Sequence, residues 1–350
     1  MKRMVLHFGM NKTGSTSIQQ TLYKSDLGSN WEYADLGRPN HSFVIQFAFQ
    51  KKRSQRHINN DISESKFLQK KAKSRSLLKS TLESCKKKNI IVSGEGIFRL
   101  TQDELSEFNK MCLNYGFQTQ IVGYLREPKS LIESQFQQVL KGVHHVVSWE
   151  NLPYPDYKQK LIHFEKVFGR ENVSYWLYDR NKFVCVVKDL LFRLGIKSDQ
   201  LTVKYTNKSL SLRAVRFLYT YRKLGPALAP DIWIQKGRKK LIGKLRELKG
   251  VKLSFSKEII DPILENNKED ITWANSRLDY PFPPCKNTDT LPGCINSELD
   301  LFKFDEESLH WLGKLIDKSR SEYCGDIRKI AAWMHILYQK LVENECGKNL

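Results

Sequence analysis

Four short stretches of the chain are mostly apolar: 3–8, then "NIIVSGEGIF" at 89–98, "TQIVGYLREP" at 119–128 and "NVSYWLYD" at 172–179. Runs of that length, bounded by Gly, Pro or Asp, predict strands buried on both faces; a half-buried strand would alternate. Between them the apolar positions fall at helical spacing. Ser15–Tyr23 predicts one helix, and Leu77, Leu78 and Leu82 mark another in a lysine-rich surface segment. Leu131, Ile132, Phe136, Val139 and Leu140 form the inner face of a third, which starts at Pro128 and stops at Gly142. "KFVCVVKDLLFRLG" (182–195) predicts a fourth. Strands alternating with helices build a central, mainly parallel sheet with helices on both faces. The expectation is a three-layer α/β core over 1–225, followed by a mainly helical C-terminal region, 226–350, packed on that core.

The first strand runs into "HFGMNKTGSTSIQQTL" (7–22), a glycine turn followed by a helix. The first N–H groups of a helix lack intrahelical partners, and the helix dipole adds positive potential, so such a junction draws an anion. Gly9 and Gly14 are spaced as in the nucleoside-triphosphate loop G-x-x-x-x-G-K-[ST], which makes the expected fold P-loop-like. Yet Ser15 fills the lysine slot, and the lysine, Lys12, lies inside the loop. Asn11, Lys12, Thr13, Gly14, Ser15, Thr16 and Ser17 are the candidate anion-binding residues. A Mg²⁺-dependent version needs a Ser or Thr after the loop lysine and an Asp closing a neighbouring apolar strand. The first is missing in that register, and the strands at 89 and 119 lack the second. An anion handled without metal fits better. The plain alternative is a Gly/Ser/Thr turn that caps a helix.

At this point two segments carry a resemblance. "HFGMNKTGSTSIQQTL" resembles the 5′-phosphosulfate loop of sulfotransferases that use 3′-phosphoadenosine 5′-phosphosulfate (PAPS). "YLREPKSLIESQFQQVLKG" (124–142) resembles their second signature, an Arg at a strand end and a Ser on the next helix. The likeness spans roughly 3–195, is most like bacterial and carbohydrate sulfotransferases, and fades beyond 225. It implies PAPS as donor, 3′-phosphoadenosine 5′-phosphate (PAP) as product, and no metal. It implies that Lys12 stabilises the leaving phosphate and that Arg126 and Ser134 hold the 3′-phosphate. "VSGE" resembles the segment that supplies the general base, here Glu95. The implied acceptor is a hydroxyl of a carbohydrate: polysaccharide, oligosaccharide or glycolipid. The residue types agree. Arg126 is a planar, permanent cation, Ser134 shares a face with Ser130, Gln138 and Lys141 away from the apolar stripe, and Glu95 follows a strand at the edge where open α/β sheets bind ligands.

The rest of the chain narrows this only slightly. With 58 basic against 38 acidic residues, the 350-residue chain carries a net charge of +20, which attracts anions and suits an anionic glycan. No zinc knuckle or aromatic RNA-binding signature is present, so nucleic acid is not an expected partner. "IWIQKGRKKLIGKLRELKG" (232–250) combines Leu241, Ile242, Leu245 and Leu248 with basic residues; it is either a peripheral membrane contact or a helix covering a core. His7 is expected to be hydrogen-bonded beneath the loop, while His41, His144 and His145 are alternative residues for the acceptor cleft. Asn207 and Ser209 are expected to cap the helix after "YTNKSLS". Seven cysteines at wide spacing, without a C-x-x-C pair, predict free thiols in a reducing compartment; Cys285 and Cys294 could pair only after export. No apolar run is long enough to cross a membrane, and no secretory signal precedes the first strand, so a cytoplasmic location, peripheral at the membrane at most, is expected. A P-loop kinase using Mg-ATP, a sulfotransferase for a non-carbohydrate molecule and a non-enzymatic glycan binder stay open as alternatives.

Overall fold

The computed structural model describes residues 1–10, 12–54, 62–142, 149–179, 185–197, 201–204, 209–226, 233–285, 288–323 and 325–343, with the side chains of 233–236 and 320 excepted. They group into two compact units. Unit 1 comprises 1–127, 156–207 and 268–283; unit 2 comprises 128–155, 208–267 and 284–350. The sequence suggested one cut at 225. The structure instead interleaves the units, because the chain leaves unit 1 after its fourth strand and returns to it twice.

Unit 1 is built on five parallel strands in the order β2-β3-β1-β4-β5. They are β1 (Lys2–Phe8), β2 (Trp31–Tyr33), β3 (Asn89–Gly94), β4 (Phe117–Arg126) and β5 (Val173–Tyr178). Successive side chains of a strand face opposite sides, and β1 shows the result. Val5 joins Ile91, Val122, Tyr124 and Trp176 in a cluster with Ile18 and Leu22 of α1 (Ser15–Leu22). A second helix on that side, Val186–Leu194, adds Val187, Leu190 and Leu191. Phe8 faces the other way. It stacks on Phe164 at 5.2 Å between ring centres, within the helix Tyr157–Phe168. Gly123 makes room for that ring, since a Cβ there would sit 2.3 Å from Phe8 Cζ. Parallel strands buried on both faces are what unbroken apolar runs predict, so the α/β expectation holds.

Several elements of unit 1 went unread in the sequence, and three of them precede β4. One is the three-residue edge strand β2. Another is α2 (Ser42–Phe49), whose residues are apolar almost throughout and show no helical period. The third is the helix Gln102–Asn114, which opens on a complete capping box between Thr101 and Glu104. The free edge of β5 is covered by the segment after the helix Lys268–Asn275. Leu278 bridges Tyr175, and the Asp279 carboxylate accepts from the Leu177 N–H at 2.9 Å. Covering an edge removes an open template for strand pairing.

Unit 2 is mainly helical, with one small parallel pair, Ser254–Phe255 and Cys294–Ile295. Its core gathers Ile132, Phe136 and Leu140 from α3 (Pro128–Leu140), Phe217 and Tyr219 from Leu212–Leu224, and Met334 and Leu337 from Ile327–Glu343. Phe136 sits 5.9 Å from Tyr219 and 5.3 Å from Phe255. Leu241, Leu245 and Leu248 of the basic 232–250 segment are buried in this core. Their apolar face is therefore spent, and any membrane contact there would rest on charge. Ser211, rather than Asn207 or Ser209, caps Leu212–Leu224: its hydroxyl accepts from the Ala214 N–H and donates to the Leu248 carbonyl. Ser209 is exposed, and Asn207 lies outside the described residues. Among the described residues no helix is long and apolar enough to cross a membrane. Cys85, Cys112, Cys185, Cys285 and Cys294 carry free thiols.

Candidate active site

Because unit 1 is a parallel sheet, Phe8, Gly94 and Arg126 end β1, β3 and β4 at one edge. The residues that follow them converge there. The β1–α1 loop is tightly folded on itself. Lys12 holds a φ of 65° and Gly14 a φ of 78°, the left-handed region that side chains disfavour. Two such residues in a row of three turn the chain sharply into α1. Gly14 lies at the N-cap, and its carbonyl accepts from the N–H of Ser17 at 2.9 Å.

The loop hydroxyls divide into two groups. Thr13 and Ser15 are buried, and both donate to the Met10 carbonyl, Thr13 at 2.8 Å and Ser15 at 3.4 Å. They brace the loop from inside. Thr16, one residue further round, is half-buried and its side chain hydrogen-bonds the Glu95 carboxyl. Ser17 is buried on α1. Asn11 lies outside the described residues.

Glu95 follows β3 and reaches the same loop. A Cβ on Gly9 would come within 2.5 Å of Ser15 Oγ and 2.8 Å of Glu95 Cγ, so only a glycine lets these groups meet. Burial pushes the Glu95 carboxyl above the ordinary carboxylate value; Lys12, Arg99 and the Thr16 hydroxyl oppose that shift by favouring the ionised form. Arg99 was not singled out from sequence, since nothing local distinguishes an exposed Arg after a short turn.

Arg126 closes the site from β4. Its Nη1 donates to the Lys12 carbonyl at 3.2 Å, and its guanidinium lies 5.9 Å from the Tyr178 ring centre. The Arg126 carbonyl accepts from the Tyr157 hydroxyl. Thus Lys12, Thr16, Glu95 and Arg126, distant in sequence, surround one helix N-terminus. Ser134 lies half-buried on α3 in unit 2. On that helix Leu131, Ile132, Phe136 and Leu140 are buried and Gln138 is exposed, the division its spacing predicts.

The histidines sort differently. His7 is fully buried under the loop, its Nδ1 2.7 Å from Ser93 Oγ, which also accepts from Gln19 Nε2. Burial pushes its pKa down to about 4, so it stays neutral. His41 is also fully buried and low, at about 4, with Nδ1 accepting the Ser93 N–H. It is part of the scaffold rather than the wall of a cleft. His144 and His145 lie outside the described residues.

No family model and no curated protein matches the chain. One matching solved structure comes from the molecular and structural characterization of the PezAT chromosomal toxin–antitoxin system of the human pathogen Streptococcus pneumoniae. It is 15% identical over 55% of this chain and 78% of that one, with a TM-score of 0.29, a likeness too slight to carry an argument.

Proposed function

We propose that this chain is a PAPS-dependent sulfotransferase that moves a sulfuryl group onto a hydroxyl of a carbohydrate acceptor. The observation that carries this reading is the hydrogen bond from Arg126 to the Lys12 carbonyl. It joins the two motifs on which the resemblance rests, and Glu95 stands at the same loop. The donor set fits a doubly anionic nucleotide: backbone N–H groups at the start of α1, the Lys12 ammonium and the Arg126 guanidinium.

In the transfer, the bond between sulfur and the phosphate oxygen breaks as the acceptor oxygen forms a new one. The departing phosphate gains charge beside Lys12, where a fixed cation stabilises the transition state more than the ground state. The acceptor proton passes to Glu95. Its partly buried carboxyl, raised above the usual value by burial, is a stronger base than a free carboxylate. Arg126 would hold the 3′-phosphate; for Ser134 the same role rests on the resemblance alone. The basic surface favours an acceptor that carries negative charge.

Calorimetric titration with PAP, run beside adenosine 5′-phosphosulfate and ATP in EDTA, tests this directly. Metal-independent binding that needs the 3′-phosphate is the expected result. Binding of ATP alone, and only with Mg²⁺ restored, would replace this proposal with a kinase.

A further inference from the structure

The backbone on both sides of Glu95, at Ser93 and at Gly96, is held by one segment, residues 40–46. On the strand side, the His41 N–H donates to the Ser93 carbonyl at 2.8 Å, and His41 Nδ1 accepts from the Ser93 N–H at 3.1 Å. On the far side, the Gly96 N–H donates to Ser42 Oγ at 2.8 Å, and Gln46 Nε2 donates to the Gly96 carbonyl at 3.0 Å. Ser42 is fixed in turn: its N–H and its hydroxyl both donate to Asn40 Oδ1, at 2.9 and 2.5 Å.

The two glycines that flank Glu95 follow from this contact. A Cβ on Gly94 would lie 2.7 Å from the Ser42 backbone nitrogen, and one on Gly96 would lie 2.5 Å from Gln46 Nε2. Both distances are shorter than real Cβ contacts: a side chain at Gly94 would push the start of α2 away from the β3 end, and one at Gly96 would displace the Gln46 amide from its bond. Four hydrogen bonds and two bare backbones therefore fix the Glu95 Cα. The side chain keeps only its own rotations, which carry it to Gly9 and Thr16.

We propose that Asn40, Ser42 and Gln46 form a clamp that positions Glu95 through the backbone of Gly96, with Ser42 and Gln46 as the positioning residues. The proposal rests on Glu95 being the base of the reaction above. A base must lie within hydrogen-bond reach of the proton it takes, and an error of about 1 Å can cost on the order of 10²-fold in rate. The charged groups that face Glu95 are Lys12 from the loop and Arg99 from the turn after β3. Residues 40–49 carry no Lys, Arg, Asp or Glu, and His41 is neutral. The clamp sets where the carboxyl stands and leaves its charge balance to the other two elements.

The test is a ¹³C-carboxyl NMR titration of Glu95 in the full chain, assigned with Glu95→Gln and repeated in Ser42→Ala and Gln46→Met. Loosening the clamp should let the carboxyl reach water, so its titration should fall toward 4.5. Ser42→Thr, which keeps the hydroxyl, should restore the higher value. PAP affinity in EDTA should stay unchanged in all three, which separates lost positioning from a damaged fold. An unmoved Glu95 titration in both Ser42→Ala and Gln46→Met would overturn the clamp; Gln46→Met alone decides if Ser42→Ala does not fold. Failure of the unsubstituted chain to bind PAP would instead overturn the proposed function, and the titration would still read the clamp.

Discussion

The two units bury their polar groups for different ends. In unit 2 the helix caps serve local backbone: Ser211 caps its own helix, and Asp305 takes both the N–H and the hydroxyl of Ser308. In unit 1 the buried polar groups tie together segments far apart in sequence: His7 with Ser93, Gln19 with Ser93, His41 with Ser93 and Glu95 with Thr16. A cap satisfies a helix end and costs little to lose. A long-range polar network in a low-dielectric interior is demanding, because each unpaired member would be costly. Such a network is retained where a fixed arrangement is worth its cost, and here it lies directly beneath the loop and the carboxylate of the candidate site.

Substitutions at the loop and carboxylate of unit 1 should move chemistry, and those at the helix caps of unit 2 stability alone. Glu95→Gln should leave PAP affinity intact and lower turnover about 10²–10⁴-fold, the range for removal of a positioned base; an unchanged rate would mean that another group takes the proton. Lys12→Ala should lower turnover about 10²–10³-fold with only partial loss of nucleotide binding, read as a fall in kcat with a small change in KM for PAPS. Acid should weaken unit 1 first. A histidine held neutral in the fold contributes stability that is complete above its unfolded value of 6.5 and is lost as pH falls through about 4. His7 alone can account for up to about 3 kcal/mol of that loss. Urea denaturation at pH 7 and pH 4, compared with His7→Gln, checks this, and hydrogen exchange would show whether the strands of unit 1 open before the helices of unit 2.

Two smaller effects sharpen the line. Arg126→Ala should weaken PAP by about 1.5–3 kcal/mol, the worth of a charged hydrogen bond, and leave adenosine 5′-phosphosulfate nearly unaffected; equal losses on both ligands would remove Arg126 from the 3′ end. Ser211→Ala should cost about 1 kcal/mol of stability with no change in PAP affinity measured by calorimetry.

Much of this molecule was legible from its residues, for reasons that differ by element. The four longer strands could be read because burial on both faces leaves only apolar residues. The loop could be read because a lysine between two glycines, just before a helix, has few structural uses. The helix Gln102–Asn114 announced itself through Thr101 and Glu104, a signal passed over beside the stronger strands. α2 could not be read in this way: buried almost all round, it has no polar face to set a period. Ser42 and Gln46 looked like ordinary polar positions, although Gly94 and Gly96 on either side of Glu95 hinted that something comes close.

What the sequence determined by itself was therefore chemistry and local form: which stretches are strands, where a helix offers its N-terminus to an anion, and which cation, carboxylate and hydroxyls stand nearby. Only the tertiary structure decided that Arg126 reaches the Lys12 carbonyl, that His41 is scaffold, that Leu241 and Leu245 belong to a core, and that the chain divides into interleaved units. Local form follows from periodicity and backbone preference over a few residues. The rest depends on which segments distant in sequence meet, and that is settled by the packing of the whole chain.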